Sequence, residues 1–362
     1  MRAYKVELDP NNKQSSSFAR FCGAARFVYN WGLAEWKKQY ESGLKPSAFG
    51  LKKQFNASKD EICPWIREVP YSVTEDAFNH LQTAFKNFFS KRSDYPKFKK
   101  RGQGSFSIKG FVIQNRRIRL QGAGWVVLKE REYIPLGANY GTYVTVSERA
   151  GRWYASVLVT DDEPVPELPS GVCLGIDFGL KHLAVLSDGS VFENPKPLRL
   201  AQSKLSKLQR ELARRERGGE NWKKTKVEIQ RQYARVSNIR SYVLHKLSSA
   251  VIEKRPAIIV IEDLNVSGMV KNHSLALSIS DVGFGELRRQ IEYKAKRNGI
   301  KVIAADRWFP SSKMCSGCGQ IKSDLSLSDR VYKCDCGVEI DRDLNAAINL
   351  AAYGLKAETQ PD

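Results

Sequence analysis

Residues 172–181 read Val-Cys-Leu-Gly-Ile-Asp-Phe-Gly-Leu-Lys, a short apolar run that ends at an acidic residue, Asp177. A second apolar run, residues 257–261, ends in the same way at Glu262. Runs of this length and composition predict strands that are buried on both faces. Because burying an unpaired carboxylate is costly, an acid at the end of each strand indicates a binding role. If the strands are neighbours, both carboxylates project from the same edge of the sheet.

The elements predicted around these two strands follow a definite order. The first strand is followed by a hairpin that turns at Asp188-Gly189 and by two basic helices that separate at Gly218-Gly219. The second strand, a helix near 285–297 and a strand near 301–304 come next. This is the order of the ribonuclease-H-like α/β fold, and we expect that fold as the core of a multidomain α/β protein.

A third acidic site opens the helix that is predicted to begin at Asp341-Arg-Asp343. Asp341 is placed to cap the helix, and Asp343 can face the sheet. Mg²⁺ takes oxygen ligands, and two such ions about 3.5–4 Å apart suit phosphodiester hydrolysis. Taken singly, the acids are compatible with a turn, a strand-end charge and a helix cap. Together they predict that Asp177, Glu262 and Asp343 bind two catalytic Mg²⁺ ions.

The cysteines fall into two classes. Cys315-Ser-Gly-Cys318 and Cys334-Asp-Cys336 form two close pairs, which is typical of a zinc ribbon with four thiolate ligands and one structural Zn²⁺. The second pair has one intervening residue instead of two, but Gly337 allows the tight turn of a metal knuckle. A thioredoxin-like role for the first pair lacks its usual strand-to-helix context. The remaining cysteines, Cys22, Cys63 and Cys173, are predicted to be small buried hydrophobic residues.

The first half of the chain combines helices with strands. Helical spacing of apolar residues predicts a helical module over 15–94, which includes an amphipathic helix over 72–89. Strands are predicted at 1–8, 105–108, 112–120, 124–128, 142–147 and 153–160, with turns at Gly110, Gly122, Gly137 and Gly151. We expect a small β-barrel from 1–14 and 95–165, with an acidic, proline-rich linker at 161–169. The α/β core over 171–310 and 341–362 and the zinc ribbon over 311–340 complete the predicted organisation.

The composition favours a polyanionic partner. The 362 residues include 59 Lys and Arg against 39 Asp and Glu, a formal net charge of +20. Basic residues recur in every segment, which predicts a long nucleic-acid-binding track, although a solvated basic surface is the alternative. No apolar run approaches about 18 residues, so we expect no membrane span and a location in the reducing cytoplasm.

Two basic segments suit contact with a nucleic-acid backbone, because they combine charge with aromatic side chains or with a long helix face. They hold Lys97, Lys99, Lys100 and Arg101, and Lys207, Arg210 and Arg214. Base readout is assigned to the polar face of the helix over 72–89, because amide side chains pair with base edges. That face carries Thr74, Asn79, Gln82 and Lys86. Arg307 is a further expected contact, and for any single residue a solvated surface position is the alternative.

These motifs together resemble the transposon-encoded TnpB family of RNA-guided nucleases, which is related to compact type V CRISPR effectors. The motifs lie at 175–181, 261–266, 306–313 with the first cysteine pair, and 341–349. The resemblance implies a RuvC-type nuclease core that carries the three acids. It also implies a wedge-like barrel, an inserted recognition module and a zinc ribbon before the last helix. Such proteins bind a guide RNA derived from the transposon end, recognise a short motif beside the target and cleave DNA with Mg²⁺.

We therefore predict an RNA-guided DNA endonuclease in which Asp177 bridges both ions while Glu262 and Asp343 each complete one site. The main alternative is a cleavage-inactive RNA-guided DNA-binding regulator on the same fold, although such a protein should have lost an acid. A transposase that joins strands itself is less favoured, since no His-rich or nucleophilic-tyrosine motif stands out among only four histidines. A structural zinc-ribbon RNA-binding protein would leave the acids unexplained.

Overall fold

The computed structural model describes residues 2–102, 104–160, 172–322, 324–326 and 329–359. The chain divides into two units, Met1–Asp162 and Glu163–Asp362. The linker predicted over 161–169 lies outside the described residues. Within the described ranges, none of the helices combines the length and apolarity that a membrane crossing requires.

In the described part of the first unit, three α-helices follow one strand and precede six others. The helices are α1 (Asn12–Glu41), α2 (Ala48–Ile62) and α3 (Tyr71–Phe89), with a 3-10 turn at Pro64–Glu68. The strands are β1 (Arg2–Asp9), β2 (Ser105–Lys109), β3 (Val112–Gln114), β4 (Arg117–Leu120), β5 (Gly124–Leu128), β6 (Tyr140–Arg149) and β7 (Arg152–Val159). All seven join one antiparallel sheet in the order β2-β6-β7-β1-β5-β4-β3.

The helices of the first unit share their core with this sheet. α1 is capped by Asn11, which forms a capping box: its side chain accepts from the Gln14 amide, and the Gln14 side chain accepts from the Asn11 amide. Further along α1, the rings of Phe18 and Phe21 lie 5.6 and 5.4 Å from that of Phe106 in β2. The buried residues of helices and strands form one apolar cluster. The three helices therefore fold onto the sheet rather than around a core of their own.

The strands of the first unit differ from the prediction over 112–120, and they do not support the expected small barrel. The predicted strand 112–120 is a hairpin, because Asn115, with a φ of 50°, turns the chain between β3 and β4. β2 and β3 are the outer strands, and among the described strands no hydrogen-bonded pairing joins them into a closed barrel. The predicted turns are confirmed, since all four glycines have positive φ: Gly110, Gly122, Gly137 and Gly151.

The second unit is built on a mixed sheet. Its strands are β8 (Cys173–Phe178), β9 (His182–Leu186), β10 (Val191–Glu193), β11 (Ile258–Glu262) and β12 (Lys301–Ala305), with a small hairpin of β13 (Val331–Lys333) and β14 (Glu339–Asp341). Its helices are α4 (Pro197–Arg214), α5 (Glu220–Glu253), α6 (Val266–Met269), α7 (His273–Val282), α8 (Phe284–Arg297) and α9 (Arg342–Thr359). The helices α6 and α7 were not expected from the apolar pattern of the sequence.

The five-stranded sheet has the order β10-β9-β8-β11-β12. β8, β11 and β12 are parallel, whereas β8, β9 and β10 form an antiparallel series. The prediction that the two acid-ending strands are neighbours is therefore confirmed. The buried positions predicted for the lone cysteines are also confirmed, since Cys22, Cys63 and Cys173 are at most 8% exposed.

Candidate active site

Asp177 and Glu262 stand at the carboxyl ends of two adjacent parallel strands. In the register of these strands, Ile176 of β8 pairs with Ile261 of β11. Each acid is the next residue along its own strand. The pairing therefore brings the two acids to the same edge of the sheet.

Both acids face helix α9. Side chains alternate between the two faces of a strand. Cys173 of β8 and Ile258 and Val260 of β11 pack with Leu350 of α9 in one apolar cluster. The alternate residues of the same strands belong to a second cluster: Leu174, Ile176, Ile259 and Ile261. Asp177 lies four residues after Cys173, and Glu262 lies four residues after Ile258. An even separation keeps each acid on the same face of its strand as that residue. They therefore lie on the side of the sheet that α9 covers.

The N-terminus of α9 brings the third acid to this edge. A Cβ on Gly175 would lie 2.0 Å from the carbonyl oxygen of Ala347, so β8 and α9 touch there through their backbones. Nearer the start of β8, a Cβ on Gly354 would lie 2.7 Å from the sulfur of Cys173. The helix therefore runs opposite to the strand, and Asp343 in its first turn comes beside the strand's carboxyl end.

The cap predicted at the start of α9 is confirmed. Oδ1 of Asp341 accepts hydrogen bonds from the amides of Asp343 and Leu344, at 2.9 and 3.1 Å. These are donors of the first turn that would otherwise lack a partner within the helix. The cap leaves the side chain of Asp343 available to the sheet.

The charges of the acids act on one another. Burial raises the pKa of Asp177 well above its ordinary value, and the negative charges of Glu262 and Asp343 raise it further. Burial also raises the pKa of Glu262, although the hydroxyl of Ser311 donates a hydrogen bond to its Oε1 at 2.6 Å. A divalent cation bound through carboxylate oxygens relieves both the burial and the repulsion, so this donor set fits Mg²⁺.

The spacing of the acids is wider than the ligand shell of one small ion. In the part of the chain that the structure describes, only the four paired cysteines have ligand atoms that all lie within 4.8 Å of one another. The oxygens of Asp177, Glu262 and Asp343 are therefore more widely spread.

The four paired cysteines form a compact cluster. Sγ of Cys315 lies 3.6 Å from that of Cys336, and Sγ of Cys318 lies 3.6 Å from that of Cys334. A zinc–sulfur bond of about 2.3 Å gives a tetrahedron with edges of about 3.8 Å, so these sulfurs fit zinc. Gly337, with a φ of 94°, forms the tight turn that was predicted for the second pair.

One thiol of this cluster is predisposed to ionise. Burial raises the pKa of Cys315, but the amides of Cys318 and Gly317 and the neighbouring thiols outweigh burial and lower the pKa to about 7. A thiol must lose its proton to bind a metal. The neighbouring thiols in turn raise the pKa of Cys336 to about 12, so the geometry of the cluster and the one readily ionised thiol are what suit a metal site.

Sequence reasoning missed three residues that connect the cysteine cluster with the carboxylates. Ser311 contacts Glu262, and Asn345 and Asn349 of α9 bind the loop that runs from Ser311 to the first cysteine. Both asparagines are at most 2% exposed. Two amides spaced i, i+4 among the apolar residues of α9 were the signal in the sequence, because buried amides require partners.

Arg307, which was expected to contact nucleic acid, forms an ion pair beside the carboxylates. Its Nη2 lies 2.7 Å from Oδ2 of Asp263, the residue after Glu262, and Arg288 binds the other oxygen at 2.9 Å. These two guanidinium groups hold the pKa of Asp263 below its ordinary value. About half of the Arg307 side chain, 49%, is open to solvent.

The other expected nucleic-acid contacts lie on the surfaces of the two units, with one exception. The exposed residues are Asn79, Gln82, Lys86, Lys97, Lys99, Lys100, Arg101, Lys207, Arg210 and Arg214. The prediction that Thr74 lies on the polar face of α3 is wrong, because this residue is 6% exposed and its hydroxyl donates to the carbonyl oxygen of Tyr71.

Three family descriptions match parts of the chain. They are a helix-turn-helix domain over residues 1–45, a probable transposase over 156–273 and the TNB domain of Cas12f1-like proteins over 284–350. Of residues 1–45, the described residues 2–45 form β1 and one helix, α1, so the first description does not fit their conformation.

Two curated proteins are similar over nearly their whole length. A protein of Streptomyces pristinaespiralis is 37% identical, with 100% of this chain and 91% of that protein covered. A protein of Escherichia coli K12, InsQ, is 35% identical, with 98% and 92% covered. Both carry the name "Putative RNA-guided DNA endonuclease". A solved Cas12f1–sgRNA–target DNA complex has a TM-score of 0.38 and 15% identity over 97% of this chain and 99% of that one.

Proposed function

Because this chain belongs to the TnpB family of RNA-guided DNA endonucleases, we propose that it cleaves DNA that is selected by pairing with a bound guide RNA. In such complexes the RNA reads the target sequence, while the protein contacts the backbones and reads a short adjacent motif. We propose that the guide derives from the transposon end. The net charge of +20 supports binding of two polyanions.

The main support for the proposal is that three acids from distant parts of the chain come together. β8, β11 and the first turn of α9 contribute Asp177, Glu262 and Asp343, and the charges of the other two raise the pKa of Asp177. Groups arranged to repel one another at a strand edge serve stability poorly. They serve catalysis well, because a RuvC-type nuclease needs several carboxylates around its ions.

Two Mg²⁺ ions, when bound, would activate water and neutralise charge that develops on the phosphate. We infer that Asp177 would help to hold both ions, since the charges of both other acids act on it. Glu262 and Asp343 would each complete the ligand set of one ion. Hydrolysis would leave 5′-phosphate and 3′-hydroxyl ends.

The remaining parts would bind and position nucleic acid. We propose that the sheet of the first unit acts as the wedge-like barrel and that α1 to α3 act as the recognition module. The exposed basic residues of α4 and of 97–101 would contact backbones. Asn79, Gln82, Lys86 and Arg307 are further proposed contacts. One Zn²⁺ bound by the four cysteines would be structural, and the protein would act in the cytoplasm.

Cleavage of a guide-matched plasmid tests the proposal. The RNA that co-purifies with the protein is sequenced first, and a plasmid carrying the complementary target is then incubated with the complex and Mg²⁺. Asp177→Ala should abolish cutting while RNA and target binding persist. Glu253→Gln, an exposed acid on α5, is the matched control and should cut normally. A variant without Asp177 that still cuts would refute the assignment.

The same assay addresses the cleavage-inactive alternative. A regulator on this fold would bind the matched plasmid and leave it intact. All three acids are present in this chain, which favours the nuclease.

The family description "probable transposase" raises a second candidate, direct strand transfer. A cluster of acids alone would suit either reaction. Transposon ends incubated with the protein should remain unjoined if the nuclease proposal holds.

A further inference from the structure

We propose that Ser311 is a positioning residue for Glu262, and that two buried asparagines of α9 hold Ser311 in place for this task. The inference rests on the function proposed above. It adds a connection between the cysteine cluster and the catalytic carboxylates.

The hydroxyl of Ser311 determines how Glu262 is presented. It donates to Oε1 of Glu262 at 2.6 Å, and Ser311 itself is only 5% exposed. No other hydrogen bond to the Glu262 carboxylate occurs among the described residues, so Oε2 is left for a cation. A carboxylate with one oxygen held in this way keeps one orientation, and such outer partners commonly tune metal affinity.

The position of Ser311 is set by helix α9. Nδ2 of Asn349 donates to the carbonyl oxygens of Ser311 and Met314, at 2.8 and 2.7 Å. Nδ2 of Asn345 donates to the same Met314 oxygen at 2.7 Å, while its Oδ1 accepts from the amide of Ser316 at 3.0 Å. The two amides thus bind both sides of the loop that contains the first cysteine.

The burial of these amides argues for a positioning role. Asn345 is 0% and Asn349 is 2% exposed on a helix that packs against a sheet, where apolar residues would fit at lower cost. Their partners are main-chain groups of the loop, so the amides specify where the loop lies. Because α9 also carries Asp343, one helix would orient two of the three acids, Asp343 directly and Glu262 through Ser311.

The hydroxyl and the backbone of Ser311 have separate partners, so they can be tested separately. Ser311→Ala removes the bond to Glu262 and keeps the carbonyl that Asn349 binds. Ser312→Ala is the matched control, because that half-buried side chain makes no hydrogen bond within the described residues. Both variants should retain the bound zinc.

A Mg²⁺ titration of plasmid cleavage is the first measurement. We expect Ser311→Ala to raise the Mg²⁺ concentration for half-maximal cleavage by about 10–100-fold, the usual effect of removing an outer partner of a metal ligand. The rate at saturating Mg²⁺ and the affinity for target DNA should stay near those of the wild type. Ser312→Ala should follow the wild-type curve.

Mn²⁺ binding, measured by electron paramagnetic resonance on the full complex, is the second measurement. The signal of the Asp177→Ala complex comes from Mn²⁺ bound by the RNA and is subtracted. Ser311→Ala should weaken the Mn²⁺ binding that remains by a factor similar to that in the Mg²⁺ titration. Wild-type values in both measurements, or loss of zinc from Ser311→Ala, would overturn the inference. If the wild type fails to cut any matched target, the proposed function fails, while the Mn²⁺ result still decides the role of Ser311.

Discussion

The carbonyl oxygen of Ala347 lies 2.0 Å from the point that a Cβ on Gly175 would occupy. Only glycine allows strand β8 and helix α9 to approach so closely. This contact sets the height of the helix above the sheet, and therefore the distance from the acid in its first turn to Asp177. The geometry of the proposed active site thus depends on a residue without a side chain.

Gly175→Ala should damage both folding and cleavage. The added methyl group meets backbone atoms that cannot rotate away, so we expect a loss of at least about 1–3 kcal/mol in the free energy of unfolding. Cleavage should fall further than stability alone explains, because Asp343 is displaced. Denaturant unfolding and plasmid cleavage measure the two effects. Gly285→Ala, where a Cβ meets nothing within 4 Å, should change neither. A normal Gly175→Ala protein would refute the contact.

Asp177→Asn should stabilise the Mg²⁺-free protein at neutral pH. Folding raises the pKa of Asp177. At any pH at which this acid is ionised in the unfolded chain, the acid therefore lowers the free energy of unfolding. The destabilisation decreases as the pH falls through the raised pKa, and it is absent below the pKa of the acid in the unfolded chain, about 3.9. We expect a higher Tm than the wild type at pH 7, by about 2–4 °C for each kcal/mol relieved. The difference should shrink towards pH 4, and Mg²⁺ should stabilise only the wild type. Lower stability of Asp177→Asn at pH 7 would contradict the raised pKa.

Cys318→Ser should lose the bound zinc. Three thiolates bind zinc more weakly than four, and the loop from Ser311 to Cys315 would lose its anchor. Metal analysis of the purified protein should find one zinc per wild-type chain and much less in the variant. Cys22→Ala, which removes a thiol in the other unit, should keep one zinc. Full zinc content in Cys318→Ser would exclude this residue as a ligand.

Asp281→Ala should unfold the second unit more readily. This acid is 4% exposed and accepts hydrogen bonds from the amides of Leu198 and Arg199 at the start of α4, at 3.0 and 3.3 Å. It also binds Arg240 at 3.0 Å. The Arg240 side chain is 27% exposed, so the main loss is of the partners of two amides at the start of α4, which costs about 1–3 kcal/mol. Thermal unfolding measures the loss, and the exposed Glu253→Ala should show almost none.

The basic face of α4 should contribute to RNA binding through charge. Changing Lys207, Arg210 and Arg214 together to Gln should weaken binding and reduce the slope of log K against log salt by about 2, since each phosphate contact contributes about 0.7–0.9. Filter binding over a range of salt concentrations measures the slope. The matched triple change uses three exposed lysines of the second unit that lie outside α4: Lys254, Lys296 and Lys301. An equal loss in both triples would show that only the net charge matters.

The tertiary structure was needed wherever a role depends on a distant partner. Ser311 and Glu262 are 49 residues apart, and Asn349 and Ser311 are 38 apart. No local pattern reports such a pair, because periodicity shows which face of an element is buried but not what covers it. Thr74 illustrates the same limit. Its hydroxyl is satisfied by a carbonyl of its own helix, so a residue that looks polar in the sequence can be buried.

The features that the sequence determined by itself depend on residues that are close together in the chain. Apolar runs ending at Asp177 and Glu262 predicted two buried strands, the cysteine spacing predicted a metal cluster, and Asp341 was recognised as a helix cap. What only the tertiary structure decided was the approach of α9 to β8 and the contacts that hold the loop before the cysteines. The physical reason is that strand and cap formation depend on local backbone chemistry, whereas the meeting of distant elements depends on how their surfaces pack.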